Sequence, residues 1–306
     1  MERLEIRPIG QSELVDIIEM QARVWQHHFL KERNQHVPMM RRSEKNMTYY
    51  IDKEPAGCLM ALEDGKPVGS IISHVWGSVG WFGPLEVEPE RQARGIGKAL
   101  VESSINYLKE RGCRTIGCET MASSPKNIAF YMKMGFRAKS LSNVMYKRLG
   151  PVDPQRLRQN PAKNLLDGDL EEARELWNRI QPGIDYTPEI AAVTKHNLGE
   201  IWTLENGAHA IVHNYEMFSD SHNSIIKLVA APKTKSETVR ILLERCELSA
   251  AQSGNTGMFL RTYDATPPDL NMLFNQGYIL QSNSIRLILT GNDEDTEEHH
   301  ISCWSG

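Results

Sequence analysis

Between Leu85 and Lys98 the chain reads Leu-Glu-Val-Glu-Pro-Glu-Arg-Gln-Ala-Arg-Gly-Ile-Gly-Lys. A strand-like run ends here and the apolar period lengthens from about two to about 3.6 residues, so a strand turns into a helix. Glycines at 95 and 97 let backbone amides approach a ligand closely, and the helix that begins there aims its unsatisfied N–H groups at the same place. The chemistry of such a turn is anion binding, helped by the helix dipole and by Arg91, Arg94 and Lys98. A tight turn with solvated basic residues would leave the same pattern. Two other phosphate motifs are excluded. A P-loop needs Gly where Gln92 stands and Ser or Thr where Ala99 stands, and a dinucleotide fingerprint needs Gly at Leu100 in a first βαβ unit.

The flanking elements are legible from periodicity. Leu14, Ile17, Ile18 and Trp25 recur at helical spacing after a possible Ser12 cap. Strand-like runs at 57–62 and 67–76 flank an Asp64-Gly65 hairpin turn, and a third run spans Trp81 to Val87. The helix after the loop buries Leu100, Val101, Ile105 and Leu108 and ends at Gly112; residues 114–119 form a buried strand. Ser124-Pro125 opens a short helix closed by Gly135, and 144–149 make a last strand. In the short helix Ser124, Asn127 and Tyr131 stand at i, i+3 and i+7, one stripe of polar groups.

The pattern Gln92-Ala93-Arg94-Gly95-Ile96-Gly97 after a Leu-x-Val-x-Pro strand end resembles the acetyl-CoA pyrophosphate loop of the GCN5-related N-acetyltransferase (GNAT) superfamily. Ile128-Ala129-Phe130-Tyr131-Met132-Lys133-Met134-Gly135-Phe136 resembles that family's second signature, and the element order agrees over residues 3–149. The resemblance implies acetyl-CoA as cosubstrate, held by the amides of Gln92, Ala93, Arg94, Gly95, Ile96, Gly97 and Lys98. It implies that backbone groups of Leu85 and Val87 pair with the pantetheine arm, and that Tyr131 protonates the departing thiolate. Where the family has Asn and Ala, this chain has Ser124 and Asn127, so either of these is the pantetheine contact.

Direct attack on a thioester requires a neutral amine. For an alkyl amine of pKa ~10.4 that form costs about 4.6 kcal/mol at pH 7, so a base is expected. Glu119, at the end of the strand beside the cofactor strand, is the first candidate and Glu86 the second; His27, His28, His36 and His74 are in reserve. No metal-ligand spacing occurs and no metal is expected. Residues 26–50, with Met39, Met40, Tyr49 and Tyr50, are where an acceptor pocket would be shaped.

The chain of 306 residues has room for two domains. Shifted by 142, it matches itself at Asp64-Gly65 with Asn206-Gly207, Val87 with Val229, Gly112 with Gly254, and Gly135-Phe136 with Gly277-Tyr278. Leu14 and Ile17 pair with Leu170 and Ala173 at 156. Residues 149–163 read as a Pro-rich linker. The expected architecture is α/β (α+β): tandem GNAT-like domains at 1–150 and 151–306 (core about 164–290), each a mixed, mostly antiparallel sheet flanked by helices. In the second copy Gln92, Gly95, Gly97 and Tyr131 become Thr234, Glu237, Val239 and Leu273, which suits a degenerate domain that shapes the acceptor pocket, imitates a dimer partner or stabilises the first.

Residues 1–150 hold 22 Lys and Arg against 17 Asp and Glu, and residues 151–306 hold 13 against 22; this is either drift between two folded halves or a first half that meets a polyanion, and neither half suits nucleic acid. No apolar run has the length of a membrane span, no signal peptide is visible, and five scattered cysteines fit a cytoplasmic protein. The acidic tail from 291 reads as solvated, with Ile301 or Trp304 as possible anchors. The expected activity is N-acetylation of a small-molecule or protein primary amine, by a monomer (a pseudo-dimer) or a homodimer. A non-catalytic acyl-CoA sensor, or an acyltransferase using a longer chain or a hydroxyl acceptor, are the alternatives.

Overall fold

The computed structural model describes every residue except 1–3, 33, 37–38, 166–169, 206, 220, 235, 264–269 and 304–306. Asn206 of the repeat and Trp304 of the tail therefore lie outside the described residues. One element order occurs twice. The first copy runs β1 (Glu5–Pro8), α1 (Leu14–His27), α2 (Glu44–Lys53), β2 (Cys58–Glu63), β3 (Lys66–Trp76), β4 (Val79–Val87), α3 (Ile96–Glu110), β5 (Thr115–Met121), α4 (Pro125–Lys133) and β6 (Arg137–Arg148). A short helix, α5 (Pro154–Gln159), precedes the second copy. That copy runs β7 (Lys163–Asn164), α6 (Leu170–Ile180), α7 (Thr187–His196), β8 (Gly199–Thr203), β9 (His209–His213), β10 (Asn223–Ala231), α8 (Ser236–Gln252), β11 (Gly257–Tyr263), α9 (Leu270–Asn275) and β12 (Ile279–Thr290). A final strand, β13 (His299–Ser302), has no counterpart in the first copy.

Local chemistry accounts for the boundaries. Asp64 and Gly65 both have positive φ (50° and 76°), the two-residue turn whose twist suits the β2–β3 hairpin. Ser12 does not cap α1; it lies in a 3-10 turn, and the Glu13 carboxylate reaches back to the Gly10 amide at 2.9 Å. Ser43 and Ser124 do cap, accepting from the amides of Asn46 and Asn127. The linker is partly helical because Asp153 caps Pro154 at the first helical position. The last strand of the first copy begins seven residues earlier than periodicity suggests, at Arg137.

All strands belong to one sheet, in the order β1-β2-β3-β4-β5-β12-β6-β11-β10-β9-β8-β7, with β13 beside β10. Pairing is antiparallel except for β4–β5 and β10–β11. The centre is exchanged: β12 of the second copy lies between β5 and β6 of the first, and β6 lies between β12 and β11. Two residues at equivalent positions of the copies, Glu119 and Arg261, meet there at 3.0 Å.

One apolar core is common to both halves, with Ile17, Met20, Tyr49 and Trp76 packed with Leu176, Trp177, Tyr186 and Leu228. Within it Glu189 accepts from Tyr49 Oη (2.5 Å) and Trp76 Nε1 (2.9 Å) and pairs with Lys53. The other two clusters lie under α3 and α8.

Two buried histidines make the fold sensitive to acid. His209 accepts from Trp177 Nε1 at 2.9 Å and is 2.8 Å from the Gly207 carbonyl, an arrangement that needs a neutral ring. Both nitrogens of His213 lack a hydrogen-bond partner among the described residues. Burial lowers the two rings from 6.5 to about 4 and about 3. Between those values and pH 6.5 the unfolded chain binds protons that the folded chain refuses. Stability is therefore full above pH 6.5 and falls with acid, by up to about 1.4 kcal/mol per pH unit for each ring. Urea unfolding between pH 7 and pH 5 measures this slope. His213→Phe is expected to remove one ring's share, and an unchanged slope would contradict the assignment.

Candidate functional site

β4 and β5 pair in parallel from Val79–Thr115 to Phe82–Cys118 and then part. A bulge at Gly83-Pro84 turns β4 away, while its other edge stays paired with β3 through Leu85, Glu86 and Val87. The Glu88 amide donates to Val68 O at 2.9 Å. Alternation along an antiparallel ladder then points the backbone groups of Glu86 toward β3 and those of Leu85 and Val87 into the gap. Within the gap Gln92 Nε2 donates to the Val87 carbonyl at 3.2 Å, and Lys126 donates to Gln92 Oε1 at 2.9 Å.

The loop beyond β4 is built for close approach. Gly95 caps α3 at φ 90°, a conformation that disfavours any other residue, and Ala93 also has positive φ. Among the described residues the amides of Ala93, Gly95, Ile96, Gly97 and Lys98 have no backbone acceptor. A Cβ at Gly97 would stand 3.7 Å from Val87 Cγ2, 3.8 Å from Phe130 Cζ and 3.9 Å from Leu85 Cδ2, so the missing side chain leaves open the space between these groups.

Loop and gap share one cleft of about 350 Å³. Leu85, Val87, Gln92, Ala93, Gly95, Gly97 and Lys98 wall it on one side, Met121, Asn127 and Phe130 on another, and Trp25, His27, His28 and Glu86 on the α1 side. Arg94 and Ile96 are not on the wall. Arg91 and Arg94 reach Glu63 instead, at 3.0 and 3.5 Å, so part of the expected positive charge is neutralised.

Glu86 is 2% exposed and faces α1. Its carboxylate accepts from Trp25 Nε1 (2.9 Å) and Ser70 Oγ (3.1 Å), and Arg42 Nη2 lies 3.6 Å away. Ser70 in turn accepts from Gln21 at 3.1 Å. Glu119 is off the cleft wall: it accepts from Arg261 at 3.0 Å, and Tyr263 Oη lies 3.2 Å away. Ser124 is used as the α4 cap, leaving Asn127 as the member of that pair on the wall.

Tyr131 packs among Phe82, Phe130 and Phe136 (centroids 6.1, 5.0 and 5.7 Å) and is 7% exposed. Tyr131 is not itself on the cleft wall; its ring stands behind Phe130, which is, and near Phe82, whose pair with Cys118 is the last before the strands part. Burial, and then the neighbouring Cys118 thiol, push its phenol well above the usual value near 10. His74 is buried, with Nε2 3.1 Å from the Gly83 carbonyl, whereas His36 is exposed. Tyr49 and Tyr50 are buried and off the cleft wall; Met39, half-buried, and Met40, exposed, are off it too. Sequence reasoning missed Trp25, Arg42, Ser70 and Lys126. Only Trp25 had a signal, its place on the apolar face of α1.

Among the described residues no three His, Cys, Asp or Glu side chains converge as metal ligands, and no helix is long and apolar enough to cross a membrane.

Residues 18–136 match the model of the acetyltransferase (GNAT) family. A mycothiol acetyltransferase of Cellulomonas flavigena is 34% identical over 104 residues, which is 30% of this chain and 30% of that one; the match spans under a third of that relative. Solved structures similar over nearly the whole chain include the following two. A GCN5-related N-acetyltransferase from Sphaerobacter thermophilus has TM-score 0.64 and 13% identity, covering 97% of this chain and 99% of that one. A tandem GNAT protein from the clavulanic acid biosynthesis pathway has TM-score 0.57 and 12% identity, covering 95% and 100%. The N-terminal half of this chain is a domain of the GNAT acetyltransferase family, and the whole chain has the fold of a tandem GNAT protein.

Proposed function

We propose that this chain is an acetyl-CoA-dependent N-acetyltransferase, that its N-terminal half carries out the reaction, and that the acceptor is a primary amine. One observation carries the reading: the edge of Leu85 and Val87 that faces no neighbouring strand among the described residues and the amides of Ala93, Gly95, Gly97 and Lys98, which have no backbone acceptor there, open into the same cleft. Backbone donors at a helix start suit a diphosphate, and an unpaired strand edge suits the amides of a pantetheine arm. The space left by Gly97 between Val87, Leu85 and Phe130 fits that occupant. Acetyl-CoA supplies the acetyl thioester.

Three tasks then fall to the protein. The amine nitrogen forms a bond to the acetyl carbon as the carbon–sulfur bond breaks, and the thiolate needs a proton. Tyr131 keeps its proton at neutral pH because burial disfavours the phenolate, so it is the donor. The amine also loses a proton. Glu86 lines the cleft and takes that proton, directly or through a water, while Glu119 is held in its ion pair with Arg261. The outward amides of Leu85 and Val87 are placed to polarise a carbonyl.

Packing supports a structural role for the second half. α1 and α2 share their core with α6 and α7, so the second half buttresses α1, whose Val24, Trp25 and His27 line the cleft. The chain is then a pseudo-dimer in itself. Following acetyl-CoA consumption against a panel of small amines and peptide amino termini tests the reading. Glu86→Gln is expected to lower kcat about 10²-fold at pH 7, with the loss shrinking as rising pH deprotonates the amine without help. Glu119→Gln is expected to weaken the fold and leave the pH profile unchanged. The opposite pattern would move the base to Glu119.

A further inference from the structure

The second half has the same divided sheet. β10 and β11 pair in parallel only from Asn223–Gly257 to Ile225–Phe259. Their separation beyond that point matches the opening between β4 and β5, but here it is filled. β13 lies in it, antiparallel to β10, with Val229 opposite Ile301 and Ala231 opposite His299. Val229 is the counterpart of Val87 at the repeat offset, so β13 runs along the edge that in the first half faces the cleft. Its other side is held by β11, where Tyr263 Oη donates to Ser302 O at 2.5 Å. The Cys303 amide closes the segment by donating to Lys227 O at 3.0 Å.

The turn before α8 is occupied too. Glu298 Oε2 accepts from the Lys233 amide at 2.7 Å and Glu298 Oε1 accepts from Arg179 Nε at 2.9 Å, while Lys233 Nζ pairs with Glu297. A carboxylate thus stands on a backbone amide of the turn that corresponds to the loop before α3. Ile301 is fully buried in one cluster with Val239, the residue that replaces Gly97. The second half thus has apolar side chains, Val239 on α8 and Ile301 on β13, in one buried cluster where the first half has Gly97 and an open cleft.

We propose that the groove between β10 and β11 is a strand-binding site whose ligand is this chain's own segment 298–303, an extended peptide led by a carboxylate. Backbone pairing with β10 and the Ile301 side chain hold it, and Glu298 sets its register. Occupied in this way, the groove takes no acyl-CoA, and each chain binds one. The likeness to a cofactor groove rests on the function proposed for the first half; the tail's occupancy does not.

Hydrogen exchange on the full chain, with and without acetyl-CoA, tests this. Amides 228–231 and 299–303 are expected to exchange together and as slowly as the core of the second half. Saturating acetyl-CoA should slow 93–98 and leave both segments unchanged. In Glu298→Lys both segments should exchange about tenfold faster, and a synthetic peptide of residues 296–306 should restore protection at 228–231. Exchange of 299–303 at the rate of an unstructured peptide would overturn the proposal, as would acetyl-CoA slowing 228–231 while it speeds 299–303. If acetyl-CoA protects no segment but 299–303 remain slow, the first half's reading fails and the strand-binding site stands.

Discussion

Gly97→Val is expected to weaken acetyl-CoA binding by at least about 100-fold, or about 2.7 kcal/mol, with the fold intact. The two γ-methyl groups would enter the space bounded by Val87, Leu85 and Phe130, all on the cleft wall. Gly97 lies in the first turn of α3 and its φ is not in the left-handed region, so the helix accepts a side chain there. Glycine is a poorer helix former than valine, so thermal stability should hold or rise. Calorimetric titration with acetyl-CoA and a melting curve on the same sample separate the two effects. The second half already carries this substitution as Val239, fully buried in the cluster that also holds Ile301.

Tyr131→Phe is expected to lower kcat by about 10²- to 10⁴-fold and to leave acetyl-CoA affinity nearly unchanged. The phenyl ring keeps the contacts with Phe82, Phe130 and Phe136, so the packing around it is kept. What is lost is the proton for the thiolate. Because burial raises the phenol's pKa, wild-type activity should show no loss from Tyr131 ionisation below about pH 10. Steady-state kinetics with a fixed amine measure the split between kcat and KM. A rise in KM at constant kcat would make Tyr131 a wall residue and not the acid.

Much of this was legible in the sequence because it is written locally. Gly65, Gly112 and Gly135 and their partners 142 residues on all have positive φ in the structure, so the repeat was carried by turns and helix ends that only glycine fits well. The loop at 92–98 was readable because its function lies in backbone groups, which glycine spacing reports directly. Features created by distant pairing were hidden. Nothing near Glu119 announces that Arg261 lies opposite, since that meeting depends on exchanged central strands. Arg91 and Arg94 looked like part of the anion site because Glu63, which holds them, lies on the far end of another strand.

The tail shows the same limit. Its run of Asp and Glu is the composition of a solvated segment, yet Glu294 is buried against Arg286 at 3.2 Å and His300 at 2.6 Å, and Ile301 has no exposed surface. Charge content describes which residues must be solvated or paired. It does not say where the partner is.

A crystal structure with CoA bound is the most direct test of the reading as a whole. The expected density has the diphosphate against the amides of Ala93 to Lys98, the pantetheine arm along Leu85 and Val87, and the sulfur beside the Tyr131 phenol. Density for CoA in any other place, or an empty cleft at saturating ligand, would contradict it.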